Sequence, residues 1–137
     1  RIGPVAALKT LEVMERIKSW NSITKTGKWI GEQWKQMGDK HGISVDIGGL
    51  PAFINFSIRS NNWLEYKTFI TQQMLKQGVL ASNTIYVCIE HTPELIADYF
   101  EKLDSIFALI RECEEGEKSI ENLLEGPVCH AGFHRLN

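Results

Sequence analysis

Apolar residues recur at helical spacing from Val5 through Leu8, Leu11, Val13 and Met14 to Ile17. Pro4 stands at the start of that pattern, where its missing N–H costs a helix nothing. Residues 19–22 interrupt the stripe, and Asn21 or Ser22 is suited to cap a second helix. In that helix Ile23, Gly27, Ile30, Trp34 and Met37 share one side, with Lys25, Lys28, Glu32 and Lys35 distributed elsewhere. Gly42 is placed for a left-handed stop. The period then changes. Ile43, Val45 and Ile47 alternate with Ser44, Asp46 and Gly48, and Ile54, Phe56 and Ile58 alternate with Phe53, Asn55, Ser57 and Arg59. Gly48, Gly49 and Pro51 mark a turn or bulge between these two strands. A third helix is expected from about Trp63 to Gln77, capped by Asn61 or Asn62 and ended by Gly78. Residues 84–89 read as a third short strand. Thr92 and Pro93 then form an N-cap and first helical residue, and Leu95, Ile96, Tyr99, Phe100, Leu103, Ile106, Phe107 and Ile110 give the last long helix its stripe. The order α-α-β-β-α-β-α predicts an α+β fold: a small three- to four-stranded, mainly antiparallel sheet with helices on one face and a long N-terminal helix.

Composition narrows the classes of function. The apolar fraction of 43% and charged fraction of 23% are those of an ordinary globular domain, and 137 residues suffice for one moderate core. A net charge of −2 gives no electrostatic case for nucleic acid or for an anionic membrane. No apolar run has the length of a bilayer span, and no signal peptide is visible. Three scattered cysteines make no disulfide framework, which points to a reducing compartment and a cytoplasmic protein. The chain opens on Arg1-Ile2-Gly3-Pro4, directly in a helix pattern and without an initiator methionine, so a piece of something longer is expected.

Four groups of residues occur in order: Pro4 with Ala6-Ala7-Leu8-Lys9-Thr10-Leu11-Glu12; Thr26-Gly27-Lys28; Ile47-Gly48-Gly49-Leu50; and Gly78-Val79-Leu80 followed by His91-Thr92-Pro93-Glu94-Leu95-Ile96. As an ordered set, from about Ile2 to Ile110, they resemble the carboxyl-terminal domain of class III aminotransferases, the fold type I pyridoxal-phosphate enzymes, in the branch of glutamate-1-semialdehyde aminomutase-like proteins. The resemblance implies that residues 1–20 are a helix crossing from a large domain absent here, and that residues 21–137 are the small carboxyl-terminal domain. It implies a parent enzyme that uses pyridoxal phosphate on a small amino substrate, works as a homodimer, and carries its Schiff-base lysine upstream of Arg1. The chain alone is then expected to bind no cofactor covalently and to catalyse nothing. Aminomutases have a longer loop before the strand, with a substrate-facing glutamate; here the loop is Ala81-Ser82-Asn83, and Asn83 falls nearest that position. Relatives that bind a substrate carboxylate have an arginine on the next strand, and the matching position here is about Tyr86. Asn83 and Tyr86 are therefore the substrate-facing candidates, and both departures favour an aminotransferase over an aminomutase proper.

Other constellations point elsewhere. Lys9, Lys28, Lys35 and Lys76 lie on amphipathic helices, where a solvated role is the rule. Cys113, Cys129, His130 and His134 include ligand spacing for zinc, but no close cysteine pair, so the metal assignment is none and a small zinc protein stays a lesser alternative. His91 either serves as an acid-base group or packs beside the helix cap, and packing is expected. Cys88 is expected in the core. Trp34 fits the core stripe, while Trp63 divides between core and contact surface. A free-standing binding or scaffold module of the same fold is the alternative from another class.

Overall fold

Three segments take up the two-residue period, and in the computed structural model, which describes residues 2–130 and 132, they form one antiparallel sheet. β1 (Val45–Leu50) pairs with β2 (Phe53–Ile58), and β2 pairs with β3 (Thr84–Tyr86), in the order β1-β2-β3. The register sets Ile47 opposite Phe56 and Ile54 opposite Ile85. Because strand side chains alternate, this places Ile54, Phe56 and Ile58 on one buried face. The helices α2 (Ser19–His41), α3 (Trp63–Lys76) and α4 (Pro93–Glu114) supply the rest of the core around Trp34, Tyr66, Phe69 and Phe107, each at most 1% exposed. The expected α+β architecture is the observed one, with α1 (Ile2–Ile17) and a short α5 (Ile120–Leu123) completing it.

Local chemistry accounts for most boundaries. Gly42 ends α2 at φ 66°, and Gly78 follows α3 at φ 77°, both in the left-handed region that glycine enters freely. The Thr92 hydroxyl accepts the Leu95 N–H at 3.4 Å, with Pro93 as the first residue of α4. Gly27 lets α2 lie directly on the hairpin turn: a Cβ there would stand 1.9 Å from the Pro51 carbonyl oxygen. The tail is strapped to α3. Gln72 donates to the Leu123 carbonyl at 2.9 Å and accepts the Glu125 N–H at 2.8 Å, and the Thr68 hydroxyl accepts the Cys129 N–H at 2.9 Å.

Three expectations are corrected. The break between the first two helices is a single residue, Lys18, at φ 48° and ψ 48°; α2 starts at Ser19, so neither Asn21 nor Ser22 caps it. The third strand stops at Tyr86 rather than Ile89. Val87 still donates to the Ala52 carbonyl at 3.0 Å, but the chain then turns, with the Cys88 N–H given to His91 Nδ1 at 3.1 Å. Cys88 is consequently exposed in that turn and is not a core residue.

Candidate functional site

With α2, α3 and α4 on one side, no helix among the described residues covers the other face of the sheet. Register assigns to it Asp46, Ser57, Gly48, Asn55 and Thr84, and, at the hairpin end, Leu50, Phe53 and Tyr86. This face is graded. At one end Arg59 binds Asp46 through two bonds of 2.6 and 3.1 Å, and the guanidinium holds the Asp46 carboxyl below its ordinary range. The middle is glycine and amide. The far end is apolar and aromatic: the Phe53 and Tyr86 rings stand 4.4 Å apart, and Leu50, paired with Phe53, is exposed.

The structure separates the two substrate-facing candidates. Asn83 continues the β3 register opposite the buried Phe56, and it bonds that strand through both side chain and backbone. Its Nδ2 donates to the Phe56 carbonyl at 2.9 Å, its backbone carbonyl accepts the Phe56 N–H at 3.0 Å, and Ser82 donates to its Oδ1 at 3.2 Å. These bonds lock the short loop onto β2. Tyr86 is 74% exposed and stands on the open face. It also lines, with His91, a recess of about 420 Å³ between β3 and α4. His91 accepts the Cys88 N–H, which ties it to the turn before the α4 cap.

Other expected groups disperse. Cys113 lies near the end of α4, where burial pushes its thiol up, while Cys129 sits on α3 and directs its thiol to the Leu64 carbonyl. Among the described residues no three His, Cys, Asp or Glu side chains gather as metal ligands; His134 lies outside them. Trp34 is fully buried, and Trp63 and Trp29 pack against the core from its margin. One interaction had no signal in the sequence. The Trp34 indole donates to the Tyr99 hydroxyl at 3.1 Å, joining α2 to α4 across 65 residues of chain.

The second uncovered surface is α1, where no residue is buried. Ile2, Val5, Leu8, Leu11, Met14 and Ile17 recur every three residues, so they wind around the helix instead of lining one face. Exposure ranges from 87% at Ile2 to 37% at Met14. A helix with apolar groups around most of its girth is ordinarily an interior helix.

Among curated proteins the chain is 24% identical over 115 residues to the 3-aminobutyryl-CoA aminotransferase of Cloacimonas acidaminovorans (strain Evry), covering 80% of this chain and 28% of that protein. Among solved structures it matches the FumI protein of Sphingopyxis sp. MTA144, determined in its PLP internal aldimine form. The TM-score is 0.70 at 15% identity, over 87% of this chain and 29% of that one. The chain thus spans less than a third of either protein. No protein-family model matches it. An aminotransferase relative and a shared fold both agree with the resemblance to class III aminotransferases that the ordered motifs carry.

A covalently held pyridoxal phosphate needs a lysine whose surroundings free its amine, by burial or a neighbouring cation. The residues present do not fit. None of the ten lysines is buried. Five hold carboxylates on the surface: Lys9 with Glu12, Lys40 with Asp104, Lys76 with Glu125, Lys102 with Asp98 and Lys118 with Glu112.

Proposed function

We propose that this chain is the small carboxyl-terminal domain of a pyridoxal-phosphate-dependent aminotransferase, and that it covers an active site built on residues upstream of Arg1. α1 (Ile2–Ile17), within the stretch 1–20, is the helix that crosses from the large domain, and residues 21–137 belong to the small domain. The observation that carries this reading is the match of sequence and fold over most of the chain to under a third of longer proteins, one of them an aminotransferase. The wound apolar surface of α1 supports it, since such a helix needs partners on more than one side. A cofactor of this kind supplies a carrier for an amino group; the domain proposed here supplies cover and selectivity. The open sheet face is the inner surface of that cover, and Tyr86 is the residue on it that meets substrate. With Phe53 and Leu50 beside it, that end offers no cation to a substrate carboxylate, which favours a substrate whose far portion is apolar or neutral. Asn83 acts on selectivity by holding the loop short. The short loop favours an aminotransferase over the glutamate-1-semialdehyde aminomutase reaction. The parent is a cytoplasmic homodimer acting on a small amino compound.

Reductive trapping tests the placement of the cofactor lysine. The purified chain is mixed with pyridoxal phosphate, treated with borohydride and weighed intact. The expected result is at most low, scattered labelling of surface lysines. A stoichiometric adduct on one lysine would overturn the assignment of that lysine to upstream sequence. Reading the gene upstream of Arg1 is the companion test: a continuous frame encoding a cofactor-binding domain is expected, and a start codon at Arg1 would leave a free-standing module.

A further inference from the structure

The recess between β3 and α4 has the size of a small-molecule site, about 420 Å³, and its walls are mostly aliphatic. Ile30, Ile85 and Ile96 give it apolar walls, and Leu80, 88% exposed, stands on its lining. Two polar groups on it hold unspent donors. The Tyr99 hydroxyl accepts the Trp34 indole N–H at 3.1 Å, and its own proton meets no acceptor among the described residues. His91 Nδ1 accepts the Cys88 N–H, so in the neutral ring the proton resides on Nε2, which is left as a donor. The charge on this side is acidic. Asp98 lines the recess and is bonded to Lys102 at 2.5 Å, and Glu94 lies one turn earlier on the same helix. Aliphatic walls with spare donors call for an apolar body carrying an acceptor; flanking carboxylates disfavour an anionic one.

We propose that this recess is a binding site for a small neutral molecule with an apolar body and one hydrogen-bond acceptor, of the aromatic ketone or amide kind, with Tyr99 as the donor. The site rests on the recess alone and needs no cofactor or upstream domain, while sharing Tyr86 with the open sheet face of the aminotransferase reading. The Tyr99 hydroxyl is partly buried and is bonded only as an acceptor, so a ligand acceptor gives its proton a partner. The same argument ranks ligands: a neutral carbonyl compound binds better than its hydrocarbon analogue, and a carboxylate of the same size binds worst.

The full 137-residue chain, labelled with ¹⁵N, tests this by amide chemical-shift titration with acetophenone, toluene and benzoate. Acetophenone is expected to give saturable shifts at millimolar concentration, confined to residues 79–86, 91–99 and the neighbourhood of Ile30. Benzoate is expected to bind about tenfold more weakly. Ala81→Leu, which fills the recess from its wall, is expected to abolish the acetophenone shifts. Tyr99→Phe is expected to weaken acetophenone about fivefold and to leave toluene unchanged. Should Tyr99→Phe fail to fold because Trp34 loses its partner, Ala81→Leu and the benzoate comparison still decide. No saturable shifts, benzoate binding as tightly as acetophenone, or acetophenone binding unaltered by Ala81→Leu would each overturn the proposal.

Discussion

α1 and α4 are built from similar apolar side chains and meet opposite environments. In α4 the buried residues Ile96, Phe100, Leu103, Phe107 and Ile110 step by four and three, which returns them to one face, and that face lies on α2 and α3 and reaches Phe56 of β2. In α1 the exposed large apolar residues step by three, so each rotates away from the last and no single contact can bury the set. The amount of apolar surface is thus a poorer guide to where a helix ends up than its spacing. α4 is stabilised by this chain; α1 leaves its large apolar side chains exposed.

Truncation at matched positions gives the largest expected effect and the simplest way to break the comparison. Phe107 is fully buried, with its ring 6.1 Å from that of Phe56, and Phe107→Ala should cost about 3–5 kcal/mol in denaturant unfolding. Leu8→Ala, at a residue 69% exposed, should change the same chain by less than about 0.5 kcal/mol. A loss at Leu8 as large as that at Phe107 would mean that α1 is packed by this chain after all.

The glycines of α1 and α2 sharpen the contrast. Gly27→Ala drives a methyl into the Pro51 backbone, which cannot move aside as a flexible side chain would, and should destabilise by about 1–3 kcal/mol or more. Gly3→Ala meets nothing within 4 Å and should stabilise α1 by up to about 1 kcal/mol through helix propensity, read as a small rise in helicity. Opposite signs are expected from one substitution type, and equal signs would show that the helices do not differ in packing.

Alkaline pH probes the buried side of the same contrast. Tyr66 is fully buried on α3, donates to Glu114 at 2.5 Å, and is pushed up to about 12, first by burial and then by that bond. Its folded pKa exceeds the unfolded value of about 10, so its contribution is complete below pH 10 and is lost as pH rises toward 12. Unfolding free energy should fall across that window by on the order of 2 kcal/mol, and Tyr66→Phe should flatten the fall. An unchanged slope in Tyr66→Phe would remove Tyr66 from the account.

What the sequence disclosed follows the same division between local and distant causes. The Thr92-Pro93 cap, the Gly42 and Gly78 stops and the alternation of β1 and β2 are set by residues within a few positions of one another, and all were legible. Lys18 was not, since nothing in a lysine announces a left-handed conformation. The end of β3 was missed because Val87, Cys88 and Ile89 have strand propensity, which the turn held by His91 overrides. Asn83 and Tyr86 could be nominated from position, but only the register shows that one locks a loop to β2 and the other stands on the open face. The Trp34–Tyr99 bond depends on two helices meeting, and neither residue alone signals it.

The smallest expected effect comes from the polar seam that fastens α4 to α2, a contact with no counterpart on α1. Asp104 accepts from Lys40 at 2.7 and 2.8 Å and pairs with His41 Nε2 at 2.9 Å. Lys40 first, then His41, holds the Asp104 carboxyl below its ordinary range. A depressed folded pKa gives stability that is present above the unfolded value of about 3.9 and is lost as pH falls through the folded one. The acid limb of the stability curve, below about pH 4, should therefore be shallower in Asp104→Asn than in the parent chain, with little difference near neutrality beyond the modest worth of a half-exposed pair. Lys9 and Glu12 on α1 form the control: that pair, exposed on both sides, ties α1 only to itself, and Glu12→Gln should leave the acid limb of global unfolding unmoved. If Glu12→Gln shifted the limb as far as Asp104→Asn, α1 would unfold together with the body, and the difference between the two helices would be one of exposure alone.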